Sequence, residues 1–188
     1  MSACESVARP TRPGVTPRPI PGVPLHISTV NAAPATTLAR ELAACADIPR
    51  WVDALVSGRP YTAVTHLLAE ASELASQWTS EDVLRAVSRH PRIGERAAGA
   101  GAEAATSARE QSGVVMDEAA RTRLEDGNAA YEKRFGHVFL IRAAGRSEDD
   151  VLAALELRLG NDPETEIAVV ADELRQIALL RLTAMVGP

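Results

Sequence analysis

A chain of 188 residues, 46% hydrophobic and 24% charged, is long enough for one buried core and short for two full domains with a linker. Its net charge of −5, without any basic block, excludes the electrostatic footprint of a nucleic-acid binder, and no apolar run is long enough to span a bilayer. Aromatics at 3% leave Leu, Val, Ile and Ala to build the interior, a palette suited to closely packed helices.

Seven of the twelve prolines fall in the first 34 residues, where fixed φ and missing donors oppose regular structure. The expectation is a Pro-rich disordered tail over residues 1–28 and an all-helical domain over 29–188. The amino terminus lacks the apolar core of a secretory signal. Cys4 and Cys45 are too isolated for a disulfide framework or a metal-ligand pair, and a reducing, cytoplasmic compartment is expected.

Helical periodicity begins at Asn31. "TTLARELAACADIPRWVDALVSGRP" spaces Leu38, Leu42 and Cys45 on one face and Trp51, Leu55 and Val56 on a second, closed by Gly58 and Pro60. "YTAVTHLLAEASELASQW" continues the pattern, and Thr79-Ser80-Glu81-Asp82 opens another helix ahead of "VLRAVSRH". Residues 94–106, with three glycines and many alanines, read as a loop or weak helix. "VVMDEAARTRLEDGNAAYEKRF" predicts a longer helix weakened by Gly127. "GHVFLIRAAGRS" is too short for a sheet of its own and reads as extended backbone. Two helices follow, from about Ser147 to Leu159 and from about Asp162 to Met185, the latter with Ile167, Val170, Leu174, Ile177 and Ala178 on a buried stripe. The fold class expected is all-α, a single compact bundle of seven to eight helices.

Two stretches carry candidate chemistry. His90 precedes Pro91, which disfavours α geometry at the residue before it, so the imidazole should project from the carboxyl end of a helix. It either caps carbonyls there or is presented for proton transfer, and the helix dipole favours its protonated form. "SAREQSG" places Ser107 and Glu110 at capping-box spacing, yet Gln111 beside them also completes a hydrogen-bonding rim for a proton shuttle.

Cofactor routes find little support. Lys133, the single lysine, sits in the polar helical "AAYEKRFG" and reads as a solvated side chain, not a Schiff-base former. His26, His66, His90 and His137 show no metal-ligand spacing, and no glycine-rich phosphate loop follows an apolar strand.

"HPRIGE" at 90–95, "SAREQSG" at 107–113, "NAAYEKRFGHVFLIRAAGRS" at 128–147, then "RLGNDPETE" and "ADELRQIALLRL", in this order, resemble the 2-oxo-4-hydroxy-4-carboxy-5-ureidoimidazoline (OHCU) decarboxylases of urate degradation. "CADIPRWVDALVSGRPY" is similar to the start of that family, so the resemblance covers about Val30 to Leu182. It implies a cofactor-free, all-helical carboxy-lyase that yields (S)-allantoin and is usually a homodimer. By this resemblance His90 is the catalytic acid/base and Glu110 its carboxylate partner. Ser107 and Gln111 bond the ureido and ring polar atoms, and Pro91 lines the pocket. Backbone amides around Phe139, Leu140 and Ile141 cradle the ring, and Arg181 binds an anionic or carbonyl oxygen. The Pro-rich extension and the small-residue loop at 97–105 depart from the family pattern.

The residue types suit the chemistry. Decarboxylation leaves an electron pair on carbon, and enzymes whose substrates lack a sink borrow one from a cofactor. This substrate carries a ring C=N beside the carbon that loses CO₂, so orientation, charge placement and one proton remain for the protein to supply. The competing reading is a catalytically inactive helical ligand-binding or scaffold protein of the same fold.

Overall fold

The computed structural model describes residues 25–94 and 118–187, and among these it contains eight α-helices and no strand. In chain order they are α1 (Ile27–Ala32), α2 (Ala35–Cys45), α3 (Pro49–Ser57), α4 (Val64–Ser76), α5 (Ser80–Val87), α6 (Glu118–Phe135), α7 (Glu148–Arg158) and α8 (Pro163–Val186). No described helix is long and apolar enough to cross a membrane. The expected all-α architecture is observed. Most of the proposed amino-terminal tail, and residues 95–117 with Ser107, Glu110 and Gln111, lie outside the described residues.

Local rules explain most boundaries. Thr79 and Asp82 close a reciprocal capping box on α5, Ser147 and Asp150 do the same on α7, and Asp162 accepts from the amides of Glu164 and Thr165 ahead of Pro163 on α8. The stretch written as two faces between Leu38 and Val56 is two helices. α2 ends at Cys45, three residues form a bend, and Pro49 starts α3, where its missing N–H costs nothing.

α1 begins at Ile27, four residues before the periodicity becomes readable. Six residues do not sustain a helix alone. This one is tied down from outside: Asn31 Nδ2 donates to the Tyr61 carbonyl and Asn31 Oδ1 accepts from the Tyr61 amide, each at 2.8 Å. Arg59 Nη1 caps the Ala33 carbonyl at 2.6 Å, and the Leu25 amide donates to the Met185 carbonyl at 2.7 Å.

α8 is the central post. It packs against α2, α4 and α5 around a first apolar cluster that includes Trp51, Leu55, Leu67, Val83, Val87, Leu174 and Leu182. A second cluster joins α6 and α7 to the segment after Gly136, through Leu124, Tyr131, Phe139, Ile141, Val151 and Leu155. Gly127, expected to weaken α6, is needed there: a Cβ would stand 2.5 Å from Leu155 Cδ2, so its absence lets α7 approach. Residues 138–143 form no regular element, as the sequence indicates, and alternate between the two interiors. Phe139, Ile141 and Ala143 face the second cluster while Leu140 packs into the first.

A buried polar knot fixes that extended segment. Arg158 and Glu166, 5% and 0% exposed, pair through Nε at 2.9 Å and Nη2 at 2.6 Å on the same carboxylate oxygen. The Tyr131 hydroxyl donates to that oxygen, Asn161 Nδ2 reaches the other at 2.7 Å, and Arg158 Nη1 donates to the Leu140 carbonyl at 2.8 Å. Burial, then the bond to Glu166, pushes the Tyr131 phenol well above its ordinary pKa, so it stays a donor. Further out, Arg92 grips Glu132 with two bonds, at 2.5 and 2.7 Å, pinning the Pro91–Gly94 turn to α6.

Arg158→Ala should destabilise the protein by about 3–5 kcal/mol in urea unfolding, because it removes one partner of a buried ion pair and leaves the Glu166 carboxyl without its guanidinium. The hydrogen bonds from Arg92 outweigh burial and hold the Glu132 carboxyl below its ordinary 4.5. The stabilisation from that pair is therefore complete above about pH 4.5 and is lost as pH falls through the depressed value. Glu132→Gln should flatten the acid limb of the melting temperature measured against pH.

Candidate active site

Val83, Ala86 and Val87 anchor α5 in the first cluster. Its last turn tightens, the His90 amide bonding the Val87 carbonyl at 2.9 Å, and Pro91 then stops the helix. The imidazole folds back so that Nδ1 lies 3.1 Å from the Ala86 carbonyl. A carbonyl only accepts, so Nδ1 carries the hydrogen, and in the neutral ring Nε2 is the basic nitrogen. His90 therefore caps and also holds a fixed tautomer. The two readings open at the sequence level are compatible in one side chain.

A cleft open to solvent lies where the end of α5, the extended segment and the carboxyl-terminal half of α8 meet. His90, Pro91, Phe139, Leu140, Ile141 and Arg181 all line it. These positions are spread over more than ninety residues of chain and converge because α5 and the extended segment both pack on α8. Ser107, Glu110 and Gln111 lie outside the described residues.

Three charged positions on α8 organise this region. Glu166, Glu173 and Arg181 fall within about 80° of one another around a helix of 3.6 residues per turn, and all three are buried. Glu166 serves the knot with Arg158. Glu173 accepts from the Arg142 amide and from Arg146 Nη2, each at 2.8 Å. Arg181, 5% exposed, reaches the Ala44 carbonyl at 3.4 Å while lining the cleft. The extended segment is thus held at the Leu140 carbonyl by Arg158 and at the Arg142 amide by Glu173.

The cleft combines apolar walls from Ile93, Phe139, Ile141, Ile177 and Leu180 with an imidazole and guanidinium groups. Such a lining suits a small, planar, polar anion, with apolar contact on its faces and donors at its edge. Sequence reasoning did not assign Ile93, Arg142, Ala143, Ala144 and Leu180 to the site, and placed Ile177 only on the buried stripe. Two signals pointed there: Ile177 and Arg181 are four residues apart on one helix face, and Arg142 shares the parity of Leu140 along the extended segment. Lys133 is solvent-exposed, as its polar surroundings indicate.

The family model described as OHCU decarboxylase matches residues 31–183. A 2-oxo-4-hydroxy-4-carboxy-5-ureidoimidazoline decarboxylase of Haloferax volcanii is 30% identical over 129 residues, 67% of this chain and 74% of the relative. One of Amia calva is 32% identical over 132 residues, 69% of this chain and 75% of the relative. Among solved structures, an OHCU decarboxylase crystallised in the presence of (S)-allantoin superposes with a TM-score of 0.65 at 27% identity, covering 79% of this chain and 98% of the other. A match that spans the folded body from α1 to the last turns of α8, agreeing in sequence and in helical architecture, places this chain in the OHCU decarboxylase family.

Proposed function

We propose that this protein decarboxylates 2-oxo-4-hydroxy-4-carboxy-5-ureidoimidazoline to (S)-allantoin, within urate degradation, with His90 as acid/base and Glu110 as its carboxylate partner. The observation that carries the reading is the meeting of His90 and Arg181 on one cleft, in a chain whose relatives are named for this reaction. The C–CO₂ bond breaks, its electron pair enters the adjacent ring C=N, and CO₂ leaves. A proton then reaches the ureido-bearing carbon on one face, while the hydroxyl proton passes to the ring nitrogen that took the pair and the hydroxyl carbon becomes the carbonyl of the product. No external electron acceptor is required.

His90 suits the proton delivery because its Nδ1 bond to Ala86 fixes which nitrogen faces the chemistry. A carboxylate at Glu110 favours the imidazolium that donates. Arg181 holds a part of the substrate that persists in the product, since gripping the departing carboxylate more tightly in the ground state than in the transition state would slow the step. Pro91 and the backbone around Phe139, Leu140 and Ile141 shape the wall against which the ring lies, with Ser107 and Gln111 bonding its ureido and ring polar atoms. We place the protein in the cytoplasm as a homodimer acting on a small molecule, without nucleic acid, membrane or bound cofactor, on the family resemblance and the sparse cysteine content.

Freshly generated substrate, with its spontaneous decay subtracted, should give enantiomerically enriched allantoin by circular dichroism. Product formed no faster and no more enriched than in buffer would leave the non-catalytic reading. His90→Asn and Glu110→Gln should each fold and lose about 10²-fold or more in turnover; full activity in either removes that residue from the mechanism. Arg181→Lys should chiefly raise KM, because an ammonium does not reproduce the guanidinium fork.

A further inference from the structure

Arg142 lines the cleft, yet neither the sequence motifs nor the mechanism above uses it. Its neighbours on the extended segment bury their side chains in one interior or the other, whereas Arg142 carries a guanidinium on the same parity as Leu140, toward α8. Its backbone amide is fixed by Glu173, whose second oxygen is occupied by Arg146. That carboxylate is therefore committed elsewhere. Among the described residues none forms an ion pair with Arg142, and its Nε is buried without an acceptor. A buried donor left without a partner is costly, and proteins seldom keep one unless something else completes it.

The charge around the cleft points the same way. Its described lining includes His90, Arg142 and Arg181 and no carboxylate. Low-dielectric walls of Ile93, Phe139 and Ile177 strengthen the pull of the two guanidinium groups on an incoming anion. The substrate of the proposed reaction is a carboxylate and its product has lost that charge.

We propose that Arg142 is a substrate-binding residue that recruits the carboxylate form and gives the cleft its preference for the anionic substrate over the uncharged product. The inference rests on the decarboxylase reading. Arg181, the more deeply buried, holds the persisting part of the ring system, while half-buried Arg142 acts on the charge that is about to leave. An attraction of this kind raises capture without clamping the departing group, so it belongs to KM more than to kcat.

The test is steady-state kinetics of wild type, Arg142→Ala and Arg142→Lys on freshly generated substrate, from low to high ionic strength. Arg142→Ala should raise KM about tenfold and change kcat less than threefold, and Arg142→Lys should recover most of the difference. The rise of KM with salt seen in wild type should be flatter in Arg142→Ala, a response that a merely structural role would not produce. If Arg142→Ala fails to fold, Arg142→Gln, which retains most of the side-chain length, carries the same expectations. Unchanged KM and salt dependence with wild-type turnover intact overturn the role of Arg142 alone, as does a fall confined to kcat. Absence of wild-type turnover overturns the decarboxylase reading and this inference with it.

Discussion

The buried pair of Arg158 and Glu166 is the constraint on which the rest of the architecture turns. A helical body that contains an extended segment must satisfy that segment's peptide groups without a neighbouring strand. Arg158 supplies a donor to the Leu140 carbonyl and Glu173 supplies an acceptor to the Arg142 amide, so side chains stand in for a sheet partner. Such pairs contribute little net stability against an apolar replacement. What they contribute here is position, because the bonds that neutralise the two charges also determine where residues 139–142 lie against α8.

The same economy holds at His90. Pro91 ends α5, and in the tightened turn the Ala86 carbonyl accepts from the Arg89 amide at 3.3 Å and from the imidazole Nδ1 at 3.1 Å. A capping bond usually argues for a structural role, but here it selects the tautomer with Nε2 as the basic nitrogen. The bond occupies one side of the ring and leaves the other nitrogen as the basic one. Arg181 likewise bonds a helix-end carbonyl, that of Ala44 in α2, while lining the cleft.

Features governed by local chemistry were readable in the sequence. The helix start at Thr79–Asp82, the helix limits near Ser147 and Asp162 and the extended run through Phe139 each depend on a few neighbouring positions, and each was assigned correctly. What escaped notice depends on distant partners. α1 exists because Asn31 meets Tyr61 across thirty residues, and Gly127 is useful only once Leu155 arrives beside it. Arg158 and Glu166 look like ordinary surface charges until the fold buries them together. In the site, family resemblance supplied His90, Pro91, the 139–141 segment and Arg181, all of which line the cleft. Arg142 was not singled out, because its parity with Leu140 is visible in the sequence but the burial of its Nε is not.

The cleft lies on the seam between two apolar clusters rather than inside either. One wall, with Ile177 and Leu140, belongs to the larger cluster, and the other, with Ile93, Phe139 and Ile141, to the smaller. A molecule lodged there acts as a mortise pin across both. Its binding free energy is added to the cooperativity between the halves, so the empty protein can open along this seam at lower cost than the filled one. Ligand binding in this cleft and the coupling of the two halves would thereby share one surface.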